Sequence, residues 1–224
     1  MTIVLTGVLV AAVWGPGPTP ARSAEPAPDP ASILVVGDSY TTGYVEGGIG
    51  AENWVPTAVR ELRSEGRAVD AEVSAGWGSG YLVGGTLGRT FGQWLDRAPA
   101  RDYDLVVFFG SRNDRGRAPA VEAAAEQAFR DAQQRYPAAR LLVIGPPWVD
   151  ESPVPRVVAD RDGVRAAAEA VGATFVDPLA EGWFTGADSA LIGADRVHPT
   201  DAGHAYLARL IVPSIERELP ASHR

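Results

Sequence analysis

The sequence predicts an α/β fold in which a five-stranded parallel sheet lies between two layers of helices. Short apolar runs alternate along the chain with longer segments of helical pattern, as in repeated βα units. Several runs are apolar at every position, which is typical of strands buried on both faces of a parallel sheet; the strongest is residues 105–109. For five such strands we expect a three-layer αβα sandwich with the flavodoxin-like order 2-1-3-4-5.

The strands are predicted from apolar runs that end in turn residues. The first run leads into Gly37-Asp38-Ser39, and the fourth is stopped by Gly145-Pro146-Pro147. The second alternates apolar and polar residues, the pattern of a strand with one exposed face. The predicted strands are residues 33–36, 68–74, 105–109, 141–144 and 174–176.

The helices are predicted from their end signals as well as from their periodicity. Asn53 is a plausible N-cap and Gly66 follows the end of the same segment,. Pro119 lies near a first turn, where proline is favoured. Pro213 is expected to kink or shorten the last helix. The predicted helices are residues 54–65, 87–97, 119–135 and 157–171, and a last helix from residue 201 onward.

The amino-terminal residues are predicted to lie outside the folded domain. Residues 3–14 form a short apolar run, and a Pro-rich stretch and the small-residue segment Ala21-Arg22-Ser23-Ala24 follow it,. The run is too short for a membrane span, which needs about 20 residues. No basic residue precedes it. We therefore predict a signal peptide at 1–24, a linker at 25–31, a domain at 32–224 and secretion. An uncleaved membrane anchor is the alternative.

Composition excludes several classes of function. The net charge of −8 argues against nucleic-acid binding, and no basic stripe is present,. The absence of cysteine excludes disulfides, thiolate metal sites and a cysteine nucleophile. Three histidines without an H-E-x-x-H pattern predict no metal site,. The glycines of residues 76–80 do not fit G-x-G-x-x-G, so no dinucleotide or other cofactor is expected.

Polar residues follow several predicted strands at the point where each strand ends. Ser39, Gly76 and Asn113 follow the first three strands, and Asp195 and His198 precede the last helix. Because the carboxyl ends of parallel strands meet at one edge of a sheet, these residues are expected to converge. Their types fit acyl transfer: Ser39 as nucleophile, His198 as base and Asp195 as the group that orients the imidazole.

An oxyanion hole is expected beside this serine. Its donors would be the backbone N–H groups of Ser39 and Gly76 and the side-chain amide of Asn113. Such donors each lower a barrier by about 2.7–4 kcal/mol. Asp201 is an alternative partner for His198, but it fits the amino terminus of the last helix better. His204, on that helix, is predicted to be a surface or packing residue.

The chain resembles the SGNH (GDSL-type) serine hydrolases over residues 33–212. The resemblance rests on Gly37-Asp38-Ser39, Gly76, the Gly-x-x-Asn-Asp block at 110–114 and the Asp-x-x-His-Pro block at 195–199. It implies a cofactor-free serine esterase that works through an acyl-enzyme. The family often has Asn before the glycine of the second block, where this chain has Ala75, and so Gly78 is the alternative oxyanion donor.

Three tryptophans near the expected site have two possible roles. Trp77, Trp148 and Trp183 could line an acyl or sugar pocket or could serve the core. Arg112 could touch substrate, although pairing with an acid is favoured. The glycine-rich segment 43–50, which contains Glu46, is expected to shape the entrance.

The predicted function is hydrolysis of a small-molecule, lipid or glycan ester, with no nucleic acid and no obligate protein partner. Acyl transfer and polysaccharide deacetylation use the same triad, so the sequence leaves them open as alternatives. A binding module for glycan or lipid is the non-catalytic alternative.

Overall fold

The computed structural model describes residues 29–115 and 117–220. The predicted signal peptide and most of the predicted linker lie outside the described residues. The first strand begins at Ala31, the last residue of that linker. Within the described residues, no helix combines the length and apolar character needed to cross a bilayer.

The sheet has five parallel strands, which confirms the predicted fold and strand order. In space the order is β2-β1-β3-β4-β5. Gly37 lies opposite Ala75 on one side and Phe109 on the other, so three strands end at the same level. The strands are β1 (Ala31–Gly37), β2 (Val69–Ala75), β3 (Leu105–Phe109), β4 (Arg140–Ile144) and β5 (Thr174–Val176).

The residues that the structure describes form six helices, five of which cover the two faces of the sheet. They are α1 (Ser39–Thr42), α2 (Trp54–Ser64), α3 (Phe91–Asp96), α4 (Ala118–Arg135), α5 (Pro155–Ala170) and α6 (Asp201–Glu218). α2 and α6 pack on one face, and α3, α4 and α5 pack on the other. Successive residues of β1 alternate between the two cores: Ile33 joins the first and Leu34 the second. This alternation explains why a strand buried on both faces is apolar throughout.

Two helix predictions need correction. The predicted helix at 87–97 is a 3₁₀ turn at Gly85–Leu87 followed by α3. Gly88 interrupts it with φ of +66°, and Thr90 starts α3 through a capping box with Gln93,. α6 continues through Pro213, so the proline does not shorten it, and the alternative of a kink stays a prediction. Val212 and Ile215 are buried in the core beside the proline, and we attribute the tolerance to this packing.

His204 is buried on the first turns of α6, where it serves packing. It is 1% exposed, and neither ring nitrogen has a hydrogen-bond partner among the described residues. The ring packs against Gly48, since a Cβ added there would lie 2.0 Å from Nε2. Burial lowers the pKa of His204 to about 4; the nearby Asp201 charge opposes this shift and His198 adds to it.

This histidine is expected to make the protein sensitive to acid. Between its ordinary pKa of 6.5 and about pH 4, His204 is protonated in the unfolded chain but neutral in the folded chain. The free energy of unfolding therefore falls as pH falls from 6.5 to about 4,. The cost is about 2 kcal/mol at pH 5. Replacing His204 with leucine should remove that cost. Urea unfolding of both proteins at pH 5 and pH 7 measures it; an equal pH dependence in the two would contradict the prediction.

Candidate active site

The structure brings Ser39, His198 and Asp195 into one hydrogen-bonded chain. Ser39 is the first residue of α1, directly beyond the end of β1. Its Oγ lies 2.9 Å from Nε2 of His198, a residue 159 positions away in the sequence. His198 Nδ1 lies 2.6 Å from Asp195 Oδ2. The three predicted residues therefore stand in the order that proton transfer from the serine requires.

A short loop before α6 holds the histidine and the aspartate together. Asp195 Oδ1 accepts the backbone N–H groups of Val197 at 2.8 Å and His198 at 2.9 Å. The His198 carbonyl accepts the N–H of Gly193, and Thr200 caps α6 by accepting the N–H of Gly203. The imidazole is thus fixed on a loop immediately before a helix.

Asp195 stays ionised because of these hydrogen bonds. Partial burial alone would raise the pKa of the carboxyl, but the bonds from the His198 side chain and from the N–H groups of His198 and Val197 outweigh it and hold the pKa below its usual value. The carboxylate is therefore present at neutral pH to stabilise an imidazolium on His198.

Tyr44 is a site residue that the sequence reasoning missed. Its ring stacks on the His198 imidazole with centroids 4.1 Å apart and planes inclined by 23°. Trp77 meets Tyr44 edge to face at 5.4 Å and donates its Nε1–H to the carbonyl of Gly43 at 2.9 Å. Glu46 accepts the N–H of Ala194. The glycine-rich segment 43–50 therefore braces the histidine loop, and its place at the entrance stays a prediction.

Asp38 supports the serine turn without contacting the triad. Its Oδ1 accepts the N–H of Tyr40 at 2.9 Å, and its Oδ2 accepts Nδ2–H of Asn113 at 3.1 Å. Burial raises the pKa of Asp38 to about 7, an effect that the Tyr40 hydrogen bond and the Arg112 charge reduce. The residue ties the turn after β1 to the loop after β3.

The glycine of the second block needs a correction. Gly76 already donates its N–H to the carbonyl of Gly37 at 3.2 Å, which continues the ladder between β1 and β2. Within the described residues, no acceptor is assigned to the N–H of Gly78 or Ser39. Glycine is required at 76 because a Cβ there would lie 2.4 Å from the Trp94 ring. Geometry thus favours Gly78, the alternative donor, over Gly76.

Asn113 lies beside these donors. Its Nδ2 donates to the Ser79 carbonyl at 2.8 Å as well as to Asp38, so both amide hydrogens have acceptors, and one of these bonds must be shared or broken before Asn113 can donate to an oxyanion,. Asp114 accepts three N–H groups, those of residues 81–83, and so fastens the glycine-rich loop to the loop after β3. The candidate oxyanion donors belong to one bonded unit.

Replacing Asn113 with alanine is expected to lower kcat for ester hydrolysis about 100- to 1,000-fold, the usual loss when one oxyanion donor is removed. KM should change much less, because the bond strengthens as charge develops on the oxygen. Steady-state kinetics with a p-nitrophenyl ester measures both. A rise in KM at unchanged kcat would assign Asn113 to ground-state binding instead.

The other two tryptophans lie away from the surface. Trp183 is 2% exposed, packs edge to face on Phe109 and donates to Glu181, which makes it a core residue. Trp148 is also buried, and the Arg112 guanidinium lies 4.3 Å above its ring. Of the three predicted lining residues, only Trp77 is exposed at the site.

A cleft of about 800 Å³ adjoins the oxyanion donors. Gly78, Asn113 and Val197 lie on its catalytic side, and Arg112, Arg115 and Arg156 also line it. The sequence reasoning considered Arg112 but gave no role to the other two arginines. Among the described residues, no three His, Cys, Asp or Glu side chains are grouped so that they could hold a metal ion.

The chain matches a protein family and a known relative over most of its length. Residues 35–206 match the model of the GDSL-like lipase/acylhydrolase family. A GDSL lipase of Mycobacterium tuberculosis is 45% identical over 191 residues, which cover 84% of this chain and 82% of that protein.

Two solved structures share the fold. A lipase/acylhydrolase from Enterococcus faecalis has a TM-score of 0.68 at 19% identity, with 87% of this chain and 100% of that chain covered. The second is a carbohydrate esterase family 2 enzyme from Corynascus thermopiles with a carbohydrate-binding domain. Its TM-score is 0.68 at 22% identity, and the match covers 88% of this chain and 68% of that chain. The family match and the Mycobacterium relative show that the chain belongs to the GDSL-like lipase/acylhydrolase family and is a carboxylic ester hydrolase.

Proposed function

We propose that this chain is a secreted serine hydrolase that cleaves carboxylic esters through an acyl-enzyme on Ser39. The observation that carries the proposal is the hydrogen-bonded chain from Ser39 Oγ through His198 to Asp195. A serine hydroxyl is a weak nucleophile by itself, and a base within hydrogen-bond distance activates it.

The first half of the reaction forms the acyl-enzyme. Ser39 Oγ attacks the carbonyl carbon while His198 Nε2 takes the hydroxyl proton. The resulting oxyanion accepts hydrogen bonds from the N–H groups of Ser39 and Gly78, and from Asn113 Nδ2 after that amide gives up one of its two present acceptors, the Ser79 carbonyl or Asp38,. The bond to the alcohol then breaks, and the alcohol leaves with the proton from His198. Asp195 keeps its negative charge throughout and stabilises the imidazolium.

The second half regenerates the enzyme. Water attacks the acyl carbonyl carbon and gives a proton to His198 Nε2. The second tetrahedral intermediate collapses, the carboxylic acid leaves, and Ser39 recovers its proton from the imidazole. Tyr44 stacks on one face of that ring, so it limits ring rotation between the two halves.

Support for secretion comes from the sequence before the domain. Residues 1–24 have the apolar run and small-residue segment of a signal peptide,. The amino-terminal sequence and mass of protein recovered from the medium of an expressing culture test this proposal. Recovery in the membrane fraction with residues 1–24 intact would support an anchor instead.

Covalent labelling tests the acyl-enzyme proposal. The purified protein is expected to hydrolyse p-nitrophenyl acetate or butyrate and to react with one fluorophosphonate per chain, with the adduct on the peptide that contains Ser39. Pretreatment with the probe should abolish hydrolysis. A folded protein that neither hydrolyses the esters nor reacts with the probe would favour a non-catalytic binding module.

A further inference from the structure

The cleft beside the oxyanion donors is basic, although the protein is acidic overall. Arg112, Arg115 and Arg156 line it, and no aspartate or glutamate of the described residues does so. The whole chain has 28 acidic and 20 basic residues. The cleft therefore carries positive charge, whereas the chain as a whole carries a net negative charge.

The charges of these arginines are not cancelled by ion pairs. No salt bridge within 4.0 Å involves any of the three in the part of the chain that the structure describes. Arg112 stacks on Trp148, and its buried Nη1 has no hydrogen-bond partner there. The Arg112 charge does act on Asp38, but that carboxyl is buried behind the serine turn and bonded to Tyr40 and Asn113.

The three side chains come from two separate segments that flank the cleft. Arg112 and Arg115 lie in the loop between β3 and α4, and Arg156 lies in the first turn of α5. The stack on Trp148 fixes Arg112, whereas Arg115 and Arg156 are exposed at the rim. A guanidinium presents N–H donors in a planar fork that fits carboxylate and phosphate oxygens.

The cleft is continuous with the site of the chemistry. Asn113 and Gly78, which face the carbonyl oxygen in the proposed reaction, are part of its lining, and Val197 precedes His198. A group held by the arginines would therefore belong to the same molecule as the ester at Ser39.

We propose that this cleft binds an anionic group, carboxylate or phosphate, on the ester substrate, and that the enzyme prefers esters that carry such a charge away from the scissile bond. This inference rests on the proposed function. It assigns Arg112, Arg115 and Arg156 to substrate recognition, and it narrows the substrate class to acidic esters.

The experiment compares esters that differ only in charge. The mono-p-nitrophenyl ester of adipic acid carries a free carboxylate, and its methyl ester is the neutral partner; a second pair ends in a phosphonate or its dimethyl ester. We expect kcat/KM at low salt to be at least 10-fold higher for the charged member of at least one pair. The pair with the larger ratio identifies the anion. Added NaCl should reduce the ratio.

Variants of the rim arginines test the assignment. The double variant Arg115→Gln and Arg156→Gln should lower the charged-to-neutral ratio at least 5-fold. Arg97→Gln is the matched control, because Arg97 is exposed after α3 and does not line the cleft; its ratio should equal that of the unmodified protein. A double variant with lysine at both positions should keep part of the preference.

The two proposals fail in different ways. Equal hydrolysis of charged and neutral esters, or an unchanged ratio in the glutamine double variant, overturns the anion site and leaves ester hydrolysis standing. If no ester is hydrolysed, the proposed function fails, and calorimetric titration with monomethyl adipate and with methyl phosphonate decides the anion site. Binding that weakens in the glutamine double variant supports it, and no binding to the unmodified protein overturns it.

Discussion

Replacing Ser39 with alanine is expected to lower kcat for ester hydrolysis by about 1,000,000-fold, the order of magnitude of the loss when a serine nucleophile is removed from a triad. Alanine lacks the Oγ that lies 2.9 Å from His198 Nε2, so no acyl-enzyme can form. Residual turnover over the uncatalysed reaction would come from the oxyanion donors and substrate binding. Initial rates with p-nitrophenyl butyrate, together with loss of fluorophosphonate labelling, measure the effect.

The matched control is Ser64→Ala. Ser64 is exposed at the end of α2, and its hydroxyl bonds only the Glu61 carbonyl, so activity and labelling should persist. Circular dichroism should show that the Ser39 variant folds, because the change removes one oxygen from an 8% exposed side chain. Turnover by Ser39→Ala close to that of the unmodified protein would show that another group is the nucleophile.

The parts of the fold that the sequence predicts well are those buried on both sides. Every residue of β3 is fully buried, so each position must be apolar and the strand can be read without ambiguity. The short strand β5 is also predicted with its observed bounds. Strand order follows from the number of strands and their alternation with helices, since right-handed crossovers leave few topologies.

Errors occur where local and tertiary effects oppose each other. The segment 87–97 has helical composition, but the left-handed Gly88 and the Thr90 cap divide it. Pro213 has a strong local preference against a helix interior, and packing in the core outweighs it,. Neither outcome follows from composition or periodicity alone.

The site residues also divide into those that a strand or helix pattern predicts and those whose position depends on tertiary structure. Ser39 and Asn113 are predictable because they follow strands, and the ends of parallel strands coincide. The choice between Gly76 and Gly78 depends on how far the β1–β2 ladder extends. Tyr44 reaches His198 through a loop whose path no strand or helix pattern fixes.

The basic cleft could not be predicted from the sequence either. Arg115 has φ of +62°, so its direction is set by a loop conformation that its residue type does not favour,. Arg156 comes from a different segment, in which Asp150, Glu151, Asp160 and Asp162 outnumber the basic residues. Only the fold brings these side chains to the same cleft.

Replacing Asp195 with asparagine is expected to lower kcat about 10,000-fold while the fold is kept. The amide oxygen can still accept the N–H groups of Val197 and His198, as Oδ1 does now. The amide nitrogen then faces His198 Nδ1 and donates to it, so the imidazole proton moves to Nε2. In that tautomer Nε2 cannot accept the Ser39 proton. Because the Asp195 pKa is held below its usual value, the unmodified enzyme keeps the productive tautomer throughout the neutral range.

Asp201→Asn distinguishes this role from a general loss of negative charge near the histidine. Asp201 Oδ1 accepts the N–H of Gly48 at 2.8 Å, and an asparagine oxygen at that position can accept the same bond. This variant should therefore hydrolyse p-nitrophenyl butyrate at a rate within a few-fold of the unmodified protein. The rate of fluorophosphonate labelling should fall in the Asp195 variant and stay near normal in the Asp201 variant, since both reactions need the same activated hydroxyl. If labelling and hydrolysis instead fell in the Asp201 variant and stayed near normal in the Asp195 variant, Asp201 would be the group that orients His198.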